Sequence, residues 1–402
     1  MTEPARGTSG IEPFRLEVPE AELAELRARI AATRWPDEIP GVGWRYGVPG
    51  AYLRELADYW RDGYDWRRFE SRLNELGQHT TTIDGARVHF LHHRSPEPDA
   101  LPLILTHGWP GSVVEFLDVV EPLRDPRAHG GDPRDAFHLV IPSIPGYGLS
   151  GPTHEIGWDV RRIAAAWAVL MQRLGYPAYG AQGGDWGSWI SWELGLTDPG
   201  HVVGVHVNML ATGPLEPGEV PTPAERAAMQ RAAHFRRELS GYLKVQATRP
   251  QTLAYGLADS PVGQLAWIVD QFREWTDAAE VPEEAVDRDL MLTNVMLYWL
   301  TGTVASSARL YHEVRGAGGF RAHPPTTVPT GVAVFPADVV QPLRRVAERT
   351  ANIVRWSQLD RGGHFAAMEE PDLFVAEVRA FFRLVRSGIP GNEPRRSGDP
   401  GR

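Results

Sequence analysis

Cysteine is missing from the sequence of 402 residues. Its absence excludes disulfide bonds and cysteine-ligated metal sites and is compatible with a reducing cytoplasm. Long hydrophobic runs are also missing, since the longest, Ile163–Met171, is far shorter than the ~20 residues that span a bilayer. Residues 1–10 lack the basic start and apolar centre of a signal peptide. We therefore expect a soluble, cytoplasmic protein with no membrane partner.

Positive charge is in short supply as well. The formal net charge is −10, the pI is about 5.8, and Lys and Arg do not cluster in a run. Binding along a phosphate backbone requires a basic stripe, so we expect no nucleic acid partner. A small-molecule substrate remains as the expected partner, and assembly into a homodimer stays open.

The order of strand-like and helix-like segments predicts the fold. Asp84-Gly85 separates two β-rich runs, which is the pattern of a hairpin. From Leu101 to Asn208, and again from Gly331, short apolar strands alternate with helical stretches. This alternation predicts an α/β protein with a mostly parallel central sheet and flanking helices. The mostly helical segment 209–325 interrupts it after the sixth predicted strand, and we expect that segment to form a lid over the carboxyl ends of the strands.

The same patterns divide the chain into an arm, a core, a lid and two tails. The predicted bounds are 1–10 and 387–402 for the tails, 11–78 for an N-terminal helical arm, 79–208 and 326–386 for the core, and 209–325 for the lid. Both tails are polar and rich in Gly and Pro, so they are expected to be disordered. Aromatic residues between positions 44 and 66 are expected to pack the arm onto the main domain.

One acidic residue stands at a turn where a nucleophile is expected. Residues 181–187 read Ala-Gln-Gly-Gly-Asp-Trp-Gly and lie between a short strand and a helical stretch. In α/β-hydrolases this turn exposes a nucleophilic serine. A carboxylate there, Asp185, would instead attack a saturated carbon and form an alkyl ester, which water must cleave. The structural alternative is an ordinary helix N-cap, the commoner role of a lone Asp before a helix.

A second loop, His107-Gly108-Trp109-Pro110-Gly111, follows the third predicted strand. In this architecture that loop offers one backbone N–H to an oxyanion, and the residue after the nucleophile offers another. We therefore expect the amides of Trp109 and Trp186 to be the two donors.

The base and the acid that orients it are expected after later strands. His364, in Arg361-Gly362-Gly363-His364-Phe365, lies between the last strand and the last helix, where this chain order has the histidine. For the acid, the loop after the sixth predicted strand offers Asn208, which carries no charge, and the next loop offers Asp338. Asp338 is preferred, with Asp360 as a surface-loop alternative.

A carboxylate that attacks a strained alkyl electrophile, such as an epoxide, also needs a donor for the departing oxygen, and a phenol with a pKa near ~10 suits that role. Four tyrosines fall in the predicted lid: Tyr242, Tyr255, Tyr298 and Tyr311. Any one of them taken alone is more often a packing residue.

Several motifs together resemble one family. These motifs are His107–Ser112, Pro145–Ser150, Gly183–Gly187, Asp259–Gly263, Thr293–Trp299 and Gly362–Ala367. The likeness runs from about residue 11 to 385 and includes Arg34-Trp35-Pro36 in the arm. It is the pattern of an epoxide hydrolase of the microsomal and juvenile-hormone type, built on the α/β-hydrolase fold.

The resemblance implies a set of roles. Asp185 would be the nucleophile, His364 the base and Asp338 the charge-relay acid, a position that is often Glu in the family. Tyr242 and Tyr311 would bind the epoxide oxygen. The resemblance implies no metal or organic cofactor. The membrane anchor of the animal members has no counterpart in this sequence, so a soluble enzyme of the bacterial type is expected. A role in bacterial secondary metabolism, such as an enediyne pathway, is suggested.

Two alternatives remain open from the residues. A haloalkane dehalogenase uses the same Asp–His ester chemistry but holds a halide with ring N–H groups, for which the indoles of Trp109 and Trp186 are candidates. A non-catalytic receptor with a hydrolase-like pocket would bind a small ligand without converting it.

Overall fold

One mixed β-sheet forms the centre of the molecule. The computed structural model describes residues 10–319 and 322–386. Its strands are β1 Glu12–Pro13, β2 Gln78–Ile83, β3 Ala86–His93, β4 Leu101–Thr106, β5 Phe137–Pro142, β6 Tyr179–Gly183, β7 Val202–Val207, β8 Thr326–Val334 and β9 Ala351–Gln358. They are hydrogen-bonded in the order β1-β2-β3-β5-β4-β6-β7-β8-β9. The predicted tails lie outside the described residues, except for Gly10.

The direction of the strands agrees with the predicted fold. From β5 through β4, β6, β7 and β8 to β9, every pair is parallel, whereas the pairs among β1, β2, β3 and β5 are antiparallel. The mostly parallel sheet is thus confirmed. The sequence pattern does not predict β1, because two residues are too few to show a period. With β1 counted, the insertion follows the seventh strand instead of the sixth.

The predicted hairpin joins β2 to β3. Asp84 and Gly85 have φ angles of 49° and 77°, and Ile83 pairs with Ala86 across the turn. Positive φ at both central residues is the geometry that matches the twist of the two strands. A residue pair such as Asp-Gly adopts it at low cost, which is why this turn is readable from the sequence.

Helices make up most of the remaining chain. They are α1 Glu20–Ala31, α2 Gly50–Asp62, α3 Trp66–Glu75, α4 Val120–Arg124, α5 Val160–Arg173, α6 Asp185–Thr197, α7 Pro223–His234, α8 Gly241–Thr248, α9 Pro250–Asp259, α10 Pro261–Trp275, α11 Arg288–Thr301, α12 Val304–Gly316, α13 Arg344–Thr350, α14 Ala366–Glu369 and α15 Pro371–Val385. The single helix expected from Ser112 is instead a 3₁₀ turn at Val113–Phe116 followed by α4. Pro122 lacks the N–H that a continuous helix would use there.

Helices cover both faces of the sheet, as neighbouring residues of β7 demonstrate. A Cβ atom built on Gly204 would lie 2.9 Å from Phe381 of α15. A Cβ atom built on Gly195 of α6 would lie 3.0 Å from the side chain of Val205, the next residue of β7. Successive strand residues point to opposite faces. Helices α15 and α6 therefore pack against opposite faces.

The segment predicted as a lid contains helices α7 to α12, and the arm contains α1 to α3. Three tyrosines of the arm hydrogen-bond to the lid segment: Tyr52 to Glu283 at 2.9 Å, Tyr59 to Asp289 at 2.7 Å and Tyr64 to Thr293 at 2.8 Å. These three tyrosines thus pack against the core and also bond to the segment predicted as a lid. Within residues 10–319 and 322–386, the helices are too short or too polar to span a bilayer.

Candidate active site

The turn between β6 and α6 presents Asp185. This residue has a φ angle of 46°, a strained conformation for a residue with a side chain, and such strain is common where function requires it. Gly187 permits the turn, because a Cβ atom there would overlap the carbonyl of Thr106 at the end of β4. The N-cap position belongs to Gly184. Asp185 is therefore the first residue of the helix, and the N-cap alternative does not describe it.

The loop after β4 meets the Asp185 carboxylate. The backbone N–H of Trp109 donates to Asp185 Oδ1 at 2.8 Å. Gly108 makes this approach possible, because a Cβ atom on it would overlap the Asp185 side chain. The second expected donor, the amide of Trp186, follows Asp185 directly in the first turn of α6. One predicted donor thus bonds the carboxylate, and a role for Trp186 stays a prediction.

His364 lies between two carboxylates. Its Nδ1 is 2.8 Å from Asp338 Oδ1, and its Nε2 is 3.4 Å from Asp185 Oδ2. All three side chains are well buried, since the exposed fractions are 3% for His364, 1% for Asp338 and 18% for Asp185. The backbone N–H of His364 is also bonded to the Trp275 carbonyl at 2.8 Å. The structure therefore brings the predicted nucleophile, base and acid into one line.

The two alternative acids lie elsewhere. Asp360 is exposed and pairs with Arg361 at 3.5 Å. Asn208 lies beside the turn at Gly184 and accepts a hydrogen bond from Gln182 at 2.9 Å. Neither contact involves His364.

The electrostatic surroundings favour a charged imidazole at rest. Burial alone would lower the pKa of His364, but the negative charges of Asp338 and Asp185 outweigh it and raise that pKa well above its ordinary value. We therefore expect an imidazolium between the two carboxylates. The contact with Asp338 holds Nδ1 and leaves Nε2 facing Asp185.

Aromatic rings close the space beside Asp185. Tyr242 stacks on Trp109 with ring centres 5.1 Å apart and lies 5.9 Å from Tyr311, which meets Trp186 edge-on at 4.8 Å. Burial, together with the nearby Asp185 carboxylate, raises the pKa of both tyrosines well above 10. Both therefore keep their protons and remain hydrogen-bond donors. Tyr242 and Tyr311 are thus brought to the site, whereas Tyr255 is 71% exposed.

Comparison with known proteins identifies the family. The family model described as the epoxide hydrolase N terminus matches residues 11–116, and the model of the alpha/beta hydrolase fold matches residues 102–254. A protein of Stigmatella aurantiaca (strain DW4/3-1), whose name assigns it provisionally to the epoxide hydrolases, is 48% identical over 384 residues, which cover 94% of this chain and 86% of that protein. Epoxide hydrolase 1 of Oryctolagus cuniculus is 33% identical, covering 93% of this chain and 89% of its own length. The chain belongs to the epoxide hydrolase family.

Solved structures agree with this assignment. The juvenile hormone epoxide hydrolase of the silkworm Bombyx mori matches with a TM-score of 0.87 and 30% identity, covering 94% of this chain and 95% of that one. The Aspergillus niger epoxide hydrolase matches with a TM-score of 0.84 and 30% identity, covering 95% and 98%. The predictions of an α/β-hydrolase fold and of a hydrolytic enzyme of the epoxide hydrolase family are confirmed.

This epoxide hydrolase family member also has two largely buried acids near the site that its sequence does not reveal directly. Burial raises the pKa of Glu115 to about 8, and the Asp185 charge adds to the effect while His364 and the N–H groups of Gly108 and Ser112 oppose it. Burial likewise raises the pKa of Glu369 to about 7. A glutamate inside the apolar run Val113–Leu117 is the signal that could have pointed to Glu115.

Glu369 links the loop that carries His364 to the chain that follows α10. One of its oxygens accepts the N–H of Phe365, next to His364, and the other accepts the N–H of Asp277, just after α10, both at 2.9 Å. Among the described residues, His, Asp and Glu side chains do not gather into a group of three that could hold a metal ion.

Proposed function

We propose that this chain hydrolyses small-molecule epoxides to vicinal diols through an ester on Asp185. The observation that carries the proposal is the line from Asp338 through His364 to Asp185, with contacts of 2.8 and 3.4 Å. Such a line couples a nucleophile to a base that is oriented by a second carboxylate. The names of the relatives supply the substrate class.

In the first step, an oxygen of Asp185 attacks one epoxide carbon. The bond from that carbon to the ring oxygen breaks, its electron pair moves to the oxygen, and a hydroxyl of Tyr242 or Tyr311 donates the proton. Both hydroxyls suit this role because burial keeps them protonated. The product of the step is a hydroxyalkyl ester, and the tyrosine regains a proton from solvent.

In the second step, His364 takes a proton from water, and the hydroxide attacks the ester carbonyl carbon. The Trp109 N–H, which bonds Asp185 Oδ1 at 2.8 Å, stabilises the negative charge on the tetrahedral intermediate. The bond from that carbon to the substrate oxygen then breaks, and the diol leaves with the His364 proton. Asp185 keeps one oxygen from water and gives its remaining carboxyl proton to His364, which restores the charged pair.

The electrostatics of His364 favour this order of steps. Its raised pKa depends on two carboxylate charges. Ester formation removes the Asp185 charge, so the pKa of His364 falls, the imidazolium releases a proton to solvent, and the neutral imidazole becomes available as a base. Formation of the Asp185 ester therefore prepares His364 to act as the base that hydrolyses this ester.

The leaving group argues for an epoxide over a haloalkane. A departing ring oxygen needs a proton and a halide does not, and the two buried tyrosines beside Asp185 can supply one. The Trp186 side chain, a candidate halide donor, is hydrogen-bonded to Tyr311. A role in bacterial secondary metabolism stays a prediction from the resemblance.

Heavy-oxygen water tests the proposal. In a single turnover with excess enzyme, the new oxygen of the diol should be unlabelled and Asp185 should gain one labelled oxygen, as read by peptide mass. Labelled diol with unlabelled Asp185 would mean direct attack of water on the epoxide. Saturable binding without diol would favour the receptor alternative, and halide release from chloroalkanes without diol formation would favour the dehalogenase.

A further inference from the structure

The loop that bears the Trp109 N–H is held by its carbonyl groups. His107 accepts a hydrogen bond from the Ile144 N–H at Nε2, at 3.2 Å, so its proton is on Nδ1, which donates to the Gly108 carbonyl at 2.9 Å. Burial lowers the pKa of His107 to about 4, so this ring stays neutral and keeps that arrangement. One carbonyl of the loop is therefore fixed from within the core.

The next carbonyls are fixed from the lid. Asn294 Nδ2 donates to the Pro110 carbonyl and the Tyr298 hydroxyl donates to the Gly111 carbonyl, each at 2.7 Å. The two residues are one helical turn apart on the same face of α11, and both are fully buried. Helix α11 is thus hydrogen-bonded to the loop immediately after Trp109, the residue whose N–H bonds the nucleophile.

We propose that Asn294 and Tyr298 are positioning residues for ester hydrolysis; this inference rests on the proposed function. By holding the two carbonyls, they keep the Trp109 N–H directed at Asp185 Oδ1. The other oxygen, Oδ2, faces His364 at 3.4 Å. The two carboxylate oxygens thus have different surroundings before substrate arrives, and Oδ1 is the one that becomes the carbonyl oxygen of the ester.

The two chemical steps depend differently on that hydrogen bond. During ester formation Asp185 loses negative charge, so a bond from the Trp109 N–H becomes weaker. During hydrolysis negative charge returns to Oδ1, and the same bond becomes stronger. A loosened loop should therefore slow hydrolysis more than ester formation, because only interactions that strengthen in a transition state accelerate its step.

The experiment uses Tyr298→Phe and Asn294→Leu, which remove one donor each and keep the approximate volume. A net hydrogen bond of the usual size corresponds to about fivefold in rate. In rapid-quench single turnovers, we expect the hydrolysis rate constant to fall by that factor, ester formation to change by less than about twofold, and the ester to accumulate. The ester is measured by intact-protein mass.

Tyr64→Phe is the matched control. Tyr64 donates to the hydroxyl of Thr293 on the same helix, because the Thr293 hydroxyl itself donates to the Asp289 carbonyl. Neither of these two hydrogen bonds involves the loop 107–111. Loss of this bond should lower the melting temperature without changing the ratio of the two rate constants. If Tyr64→Phe changes that ratio as much as Tyr298→Phe does, the role of Tyr298 is structural only.

The outcomes separate this inference from the proposed function. If the unaltered enzyme forms no ester on Asp185, the proposed function fails regardless of Tyr298. If it forms the ester, and the variants slow both steps equally or neither, the positioning role is wrong. Should one variant fail to fold, the other is sufficient, because each removes a different bond to the same loop.

Discussion

Replacing Asp338 with Asn removes a charge from the site with almost no change in shape. Asp338 is 1% exposed and contacts His364 Nδ1 at 2.8 Å. The amide of Asn can still meet the ring, but it neither carries charge nor requires the ring proton to be on Nδ1. The substitution therefore tests the orientation of the base separately from its presence.

The magnitude follows from the interaction that is lost. A hydrogen bond to a charged group contributes about 1.5–3 kcal/mol, which is about 10- to 160-fold in the hydrolysis rate. If the ring also adopts the wrong tautomer, the loss should approach the ~10⁴-fold known when a serine-protease triad loses its acid. Ester formation should change much less, since His364 is not its base.

The assay is a pre-steady-state time course of diol and of enzyme-bound ester over a range of pH. Asp338→Asn should accumulate ester. Asp338 is one of the two charges that raise the pKa of His364, so its removal lowers that pKa. The acid limb of the hydrolysis profile should then move to lower pH while the plateau rate falls. A loss of hydrolysis below tenfold, or an equal loss in ester formation, would mean that Asp338 does not orient His364 for hydrolysis.

Other substitutions test the remaining parts of the site. Tyr242→Phe and Tyr311→Phe should each slow ester formation by about 10- to 160-fold, the equivalent of one hydrogen bond to a developing charge. Unchanged rates of ester formation would mean that these tyrosines do not take part in the first step. The exposed Tyr255, changed to Phe, is the control. Gly108→Ala places a methyl group on the Asp185 carboxylate, so it should cut activity more than tenfold with little change in the far-UV spectrum. A fully active Gly108→Ala enzyme would mean that the two groups do not approach so closely.

Much of the fold is readable from the sequence because its signals are local. The Asp84-Gly85 hairpin depends on two residues that accept positive φ, and the Gly183–Gly187 turn on residues that accept close packing. The buried parallel strands are short apolar runs, as in Leu101–Thr106. In contrast, β1 has two residues and no period. The helix expected from Ser112 is interrupted between Phe116 and Val120, just before the short helix α4 whose first turn contains Pro122.

The site was predictable where the order of elements determines position. Asp185, His364 and Asp338 each follow a strand at the same edge of the sheet, so topology brings them together. Glu115, Asn294 and Tyr298 carry no such signal. Asn294 and Tyr298 lie more than 180 residues from the carbonyls they bind, and a contact of that range depends on how α11 packs against the loop after β4.

The covalent ester on Asp185 is the central claim, and the most direct test is the intact mass of His364→Asn after mixing with a simple epoxide. Removal of the base should leave the first step working and stop the second. We expect an increase equal to the mass of the epoxide, located on the peptide that contains Asp185. Diol formation at the normal rate, or epoxide consumption without any protein adduct, would contradict it.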